Sequence, residues 1–330
     1  MPLHPLIAAD LAAATAMAIT PYHRLPVQQA RVQMKKAYAG QTPVPLAEVR
    51  NFSVPGPAGE LPVRFYKDAP PQQRVPLVVF FHGSGFCALD LDTHDEICRR
   101  IVLASGCAVA SVDYRLAPEH PFPAGPDDAL AATCELAAMH QELGTQAGAL
   151  ALAGDSAGAC LAAVTALRLR DQGGPPSQAL LMWYPVTDHP STGWPSYERL
   201  ATGYGLSAEG MRWFWSHYLQ DPAQAAHPHA SPLRAPSLEG LPATWLMTAE
   251  YDPLHDEGAA FAERLERSGV PTQLHCAQGL NHGFLKHAGR IPTAQAGLAQ
   301  GCDWLRALFS NASAPALAPT PPLNSTRPSA

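Results

Sequence analysis

Gly154, Asp155, Ser156, Ala157 and Gly158 spell GDSAG between a short apolar run at 150–153 and an Ala-rich stretch that continues to about Arg170. In the G-x-S-x-G pattern the serine occupies a strained strand-to-helix turn. Small residues two positions before and after it let the two backbones approach. A serine held this way is a candidate nucleophile, and at the helix N-terminus the Ala157 N–H is free to hold an oxyanion. A Gly-rich turn without chemistry gives the same five letters, so the partners decide.

A serine nucleophile needs a base, and the base needs an orienting carboxylate. Asp252, in AEYDPLHDEG, lies just past an apolar run ending near Thr248, and His282, in GLNHGF, lies just past one ending near Cys276. Ser, Asp, His is one of the chain orders in which such a set is built. A further loop, HGSGF, follows the apolar run 76–81 directly. Consecutive backbone N–H groups in a Gly-rich loop suit a developing tetrahedral oxyanion. Asp188, in YPVTD, also follows a strand and stays open as the acid. Asp256 reads as the opening of a helix, His275 falls inside a strand, and His287 comes a turn too late. His227 and His229, in HPHASP, lack the Cys or carboxylate company of a metal site.

The elements that must position these groups follow from periodicity. Runs at 49–54 and 61–66 predict a hairpin across PGPAGE. Buried strands are expected over 76–81, 107–112, 150–153, 179–184, 243–248 and 272–276. Helices are expected over 94–105, 127–143, 157–170, 256–268 and 293–309. Strand–helix alternation implies a mostly parallel sheet covered on both faces, whose strand C-termini line a ligand crevice. Residues 1–45, broken at Pro21, Pro26, Pro43 and Pro45, predict two or three short helices. Between 185 and 242 the chain is aromatic and irregular, with Trp194, Tyr197, Tyr204, Trp213, Phe214, Trp215 and Tyr218 suggesting an apolar wall. So long a connection reads as a functional lid. From 311 to 330 there is too little to bury, and a disordered tail is expected.

Composition narrows the class. With 330 residues the chain can bury a large core; 47% of it is hydrophobic, and only 15% is charged, with a net charge of −6. That balance suits an enzyme-like globule and offers no basic footprint for nucleic acid. Seven scattered cysteines without a C-x-x-C pair read as reduced core thiols. No segment reaches the roughly 18 apolar residues of a membrane span, and no positively charged leader is evident. A cytoplasmic protein without a membrane partner is expected.

HGSGF, DYRLAPEHPFPA (113–124), GDSAG, YPVTD, DPLHDEG and GLNHGF, in that order, resemble the bacterial hormone-sensitive-lipase family of esterases, within the α/β-hydrolases. The likeness runs from the N-terminal helices to about residue 309. It implies an α/β fold with a mostly parallel sheet of about eight strands flanked by helices. A catalytic domain would span 46–310, with a helical cap from residues 1–45 and an insertion within 186–242. The implied activity is a serine carboxylesterase acting on short- to medium-chain acyl or aryl esters. By motif position Ser156 is the nucleophile, His282 the general base and Asp252 its orienter, with the N–H groups of Ser84, Gly85 and Ala157 as oxyanion hole. DYRLAPEHPFPA would brace the active-site floor, with no catalytic role for Glu119 or His120. No cofactor or metal is implied, the partner is a small ester, and the resemblance is compatible with a homodimer. An amidase or lactonase using the same triad is the main alternative. A noncatalytic receptor, such as the plant gibberellin receptors that resemble the family but lack its histidine, is opposed by His282. The family usually carries glycine where this chain has Ser84. The N–H survives that replacement, while a Cβ at a position needing positive φ costs about 1–2 kcal/mol.

Overall fold

The structure is a computed structural model and describes residues 1–40, 42–83 and 85–312. Eight strands form one sheet: β1 Glu48–Gly56, β2 Gly59–Lys67, β3 Val75–Phe81, β4 Ala108–Val112, β5 Thr145–Asp155, β6 Ala179–Trp183, β7 Ala243–Tyr251 and β8 Thr272–Asn281. Their order is β1-β2-β4-β3-β5-β6-β7-β8. Only β2 runs against its neighbours; from β4 through β8 every pairing is parallel. Pro55 is tolerated because β1 is an edge strand, where a missing N–H breaks no inner ladder.

Side-chain alternation sorts the strands into two core layers. On one face lie Leu77, Val79, Phe81, Leu150, Leu152, Leu180 and Met182; on the other lie Val78, Phe80, Ala151, Ala153, Leu181 and Trp183. Helices α4 Ala124–Ala138, α5 Ala157–Gln172 and α8 His255–Arg267 cover the first face, and α3 Asp95–Ser105 and α9 Pro292–Ala312 the second. Strands apolar on both faces are thereby shielded on both, as parallel sheets require.

Several boundaries differ from the sequence expectations, among them the start of β5, at Thr145 rather than 150, the ends of α4, at Ala138 rather than 143, and of β7, at Tyr251 rather than 248, and three more. Helix α4 starts at Ala124 rather than 127 because Pro126 falls in its first turn, where its missing N–H has no intrahelical partner to lose. Strand β8 continues past 276 to Asn281. Helix α9 reaches Ala312, so it takes in the first two residues of the expected tail; 313–330 lie outside the described residues.

The N-terminal segment folds into α1 Pro5–Ala16, a 3₁₀ turn Tyr22–Arg24 and α2 Val27–Lys36. The segment after β6 carries α6 Pro195–Arg199, α7 Ala208–Tyr218 and three 3₁₀ turns. Its Tyr197, Phe214, Trp215 and Tyr218 are buried in the first core layer. The two segments meet at Tyr22, which stacks on Phe214 at 5.3 Å. A Cβ on Gly210 of α7 would strike the Tyr22 hydroxyl, so glycine permits this approach.

Candidate active site

Strand β5 and helix α5 meet at Ser156, whose φ of 53° and ψ of −122° lie outside ordinary L-residue territory. Its N–H donates to Trp183 O at 2.9 Å, and its carbonyl accepts from the N–H groups of Cys160 and Val186, each at 3.2 Å. Packing over-determines this strained turn. A Cβ on Gly158 would overlap the Phe81 carbonyl of β3, and one on Gly154 would overlap the Gly158 backbone. Both glycines of the pentapeptide are therefore steric requirements.

Two and three strands along the sheet from β5, at the same C-terminal edge, Tyr251 of β7 pairs with Asn281 of β8 across a register shift. The next residues, Asp252 and His282, thus leave neighbouring strands side by side. His282 Nδ1 lies 2.7 Å from Asp252 Oδ2, and its Nε2 lies 2.9 Å from Ser156 Oγ. Asp252 is fully buried, and its other oxygen accepts the Leu254 N–H at 2.9 Å. A carboxylate at Nδ1 places the proton there, which leaves Nε2 as acceptor for the serine hydroxyl. The Tyr184 ring meets the imidazole edge-on at 4.8 Å and fixes its plane.

The loop after β3 lies against the same turn. Gly83 N–H donates to Asp155 Oδ1 at 2.7 Å, and a Cβ on Gly83 would strike that carboxylate. Ser84 lies outside the described residues. Gly85 has φ +56°, and the Phe214 ring lies against its Cα where a Cβ would stand. Ala157 is the first residue of α5, where an N–H has no intrahelical acceptor. His82 is buried and stacked on Tyr114 at 4.5 Å, and the Tyr114 hydroxyl donates to the His82 carbonyl at 2.7 Å. Burial, then the neighbouring His94, pushes the His82 imidazole down to about 3, so it is neutral. Around this floor Arg115 grips Asp128 through Nε and Nη2, and Arg31 binds Glu119 and the carbonyls of Cys87 and Ala117. Glu119 is thereby occupied away from the serine.

The competing residues have other partners. Asp188 pairs with Arg234 and accepts from Trp194 Nε1. Asp256 sits in the first turn of α8 and accepts the Ser196 N–H. His275 stacks on Trp245, His287 contacts Arg290, and His227 accepts the His229 N–H. Among the described residues no three His, Cys, Asp or Glu side chains form a metal-holding group.

Sequence reasoning passed over three participants. His94, expected only as a helix start, contacts Asp155 at 3.3 Å. Asp155 was legible, since a carboxylate closing a buried strand needs partners. Glu257 is buried in the first turn of α8 and accepts the Thr187 and Asp188 N–H groups at 2.8 and 3.2 Å. Burial pushes its carboxyl well above the usual range despite those donors.

A family model described as the alpha/beta hydrolase fold matches residues 78–286. The chain is 41% identical over 273 residues to esterase LipI of Mycobacterium tuberculosis, spanning 80% of this chain and 83% of that one. It is 36% identical over 313 residues to an ethyl acetate hydrolase of Pseudomonas putida, spanning 90% and 96%. Among solved structures, a hyperthermophilic esterase of Pyrobaculum calidifontis superposes with a TM-score of 0.89 at 35% identity, covering 94% of this chain and 99% of that one.

Proposed function

The chain belongs to the α/β-hydrolase fold family and is a carboxylic ester hydrolase, and we propose that Ser156, His282 and Asp252 carry its reaction through an acyl-enzyme. The observation that supports this most is the continuous contact from Asp252 Oδ2 through both imidazole nitrogens to Ser156 Oγ. His282 Nε2 takes the serine proton as Oγ attacks the ester carbonyl carbon. The resulting oxyanion receives hydrogen bonds from the N–H groups of Ala157, Gly85 and Ser84. The imidazolium then protonates the departing alkoxide as the carbonyl re-forms. Water, deprotonated by the same nitrogen, attacks the acyl-serine; as the intermediate collapses and releases the acid, the imidazolium returns that proton to the departing Ser156 Oγ. Protons and electrons balance without an added group.

Residues 1–45 and the insertion within 186–242 form a two-piece cap on the 46–310 catalytic domain in this reading. Phe214, from the second piece, lies against Gly85, and Tyr22, from the first, stacks on it. That wall favours short- to medium-chain acyl or aryl esters. No helix among the described residues is long and apolar enough to cross a membrane. All seven cysteines are free, five of them buried, which suits a reducing cytoplasm. Family resemblance carries the expectation of a homodimer, which light scattering tests.

Labelling with a fluorophosphonate followed by peptide mass spectrometry tests the nucleophile. A single adduct on Ser156, abolished in His282→Ala, is expected; an adduct elsewhere or none at all contradicts the assignment.

A further inference from the structure

Asp252 and His282 each follow directly on a residue that the insertion after β6 holds down. Tyr251 and Asn281 are the last paired residues of β7 and β8, one position before the acid and the histidine. Asn281 is 5% exposed, and its Nδ2 donates to the Tyr204 carbonyl at 2.8 Å. Tyr204 lies between α6 and α7 in a stretch with neither helix nor strand, and its ring packs on Tyr251 with centroids 4.9 Å apart. One residue of the insertion thus touches both strand ends. Gly205, at φ +99°, permits the approach, since a Cβ there would stand 3.1 Å from Asn281 Nδ2 and 3.9 Å from Leu11 Cδ2 of α1. The N-terminal segment reaches the same strand end, where the His4 N–H donates to the Gly279 carbonyl at 2.8 Å.

We propose that Asn281 is a positioning residue: its amide latches the insertion to the turn that carries His282, so the seat of α7 and the seat of the imidazole are set together. The inference rests on the esterase reading above. Chemistry sets the direction of the amide, because a carbonyl accepts and only Nδ2 can donate to it. Oδ1 is buried and has no hydrogen-bond partner among the described residues, so the contact with Tyr204 is the one the amide makes with the protein. Gly283, at φ +75°, turns the chain away immediately after His282, which leaves the end of β8 to aim the imidazole. A displacement of about 1 Å there would lengthen the 2.9 Å approach of Nε2 to Ser156 Oγ beyond a hydrogen bond. Because α7 carries Phe214, the latch also ties the wall against Gly85 to the base.

The test is steady-state kinetics on p-nitrophenyl acetate of Asn281→Leu, Gly205→Ala and the double variant, with the rate of Ser156 labelling by a fluorophosphonate as a second readout. Leucine is similar in size to asparagine and leaves no unpaired polar group at 281, so Asn281→Leu is expected to melt within about 5 °C of wild type. Its kcat is expected to fall on the order of tenfold or more, with KM within about threefold, because the loss falls on proton transfer and not on substrate contact. The labelling rate should fall in parallel, since phosphonylation needs the same aimed imidazole. Gly205→Ala pushes the insertion off the amide and should give the same split. The double variant should lie within about threefold of the worse single one, because both changes break one link. Single variants within about threefold of wild type in kcat, an unchanged labelling rate, or losses that multiply in the double variant overturn the inference. If Asn281→Leu does not fold, Asn281→Ser removes the amide without bulk and carries the same expectations for kcat, KM and labelling. Should Ser156→Ala abolish hydrolysis while Asn281→Leu leaves kcat unchanged, this inference alone falls and the esterase mechanism stands. A wild-type protein that neither hydrolyses the ester nor takes the label removes both.

Discussion

Arg234 Nε donates to Asp188 Oδ1 at 2.6 Å, tying the start of the long segment after β6 to a point near its end. Asp188 also accepts the His189 N–H at 2.9 Å and Trp194 Nε1 at 3.2 Å. Both of its oxygens are committed to holding that segment together, while Asp252 faces the imidazole. Asp188→Asn should leave kcat within about threefold and lower Tm by about 5 °C, because a buried charge pair is broken. Asp252→Asn should cost about 10³- to 10⁴-fold in kcat, since the amide no longer fixes the imidazole tautomer. Rates and melting curves of the two variants check this; the reverse pattern would move the acid to Asp188.

In the proposed mechanism Phe214 would set the depth of the acyl site. Its ring lies against Gly85 and is backed by Tyr22 at 5.3 Å and Trp213 at 5.2 Å. Phe214→Ala should raise kcat/KM for octanoyl relative to acetyl p-nitrophenyl esters by about tenfold or more, within the range that removing a few methylene-sized contacts gives. An unchanged acyl-length profile would place the acyl chain elsewhere.

Glu257 makes stability depend on pH with a definite sign. Its folded carboxyl is held well above the ordinary range, first by burial. Above about pH 4.5 the unfolded chain releases this proton while the folded chain keeps it. The unfolded state then binds fewer protons, so stability falls as pH rises until the folded group itself ionises. Glu257→Gln keeps an acceptor for the Thr187 and Asp188 N–H groups and lacks that loss. Its Tm relative to wild type should therefore climb between about pH 5 and pH 8. A pH-independent difference contradicts a neutral Glu257.

The sequence made the sheet and the three chemistry-bearing loops legible because each signal was local. β3 and β5 are apolar on both faces, and glycines flank Ser156 where a Cβ would collide with backbone. Asp252 and His282 could be ordered along the chain, but their adjacency depends on the register between β7 and β8, which no single strand encodes. Pro126 misplaced the start of α4 because a proline in the first turn looks like one that breaks a helix. His94 was read as a helix start because its partner, Asp155, is 61 residues away and in another element. The Arg234–Asp188 pair escaped for the same reason. Contacts made by single charged side chains across elements leave no periodic trace.

Initial rates of wild type and Ser156→Ala on p-nitrophenyl acetate and butyrate test the central claim most directly. Wild type should hydrolyse both, and the variant, with its fold intact by circular dichroism, should lose about four orders of magnitude or more. A folded Ser156→Ala protein retaining more than about a tenth of the wild-type rate would contradict the account, because no acyl-enzyme at that serine could then carry the reaction.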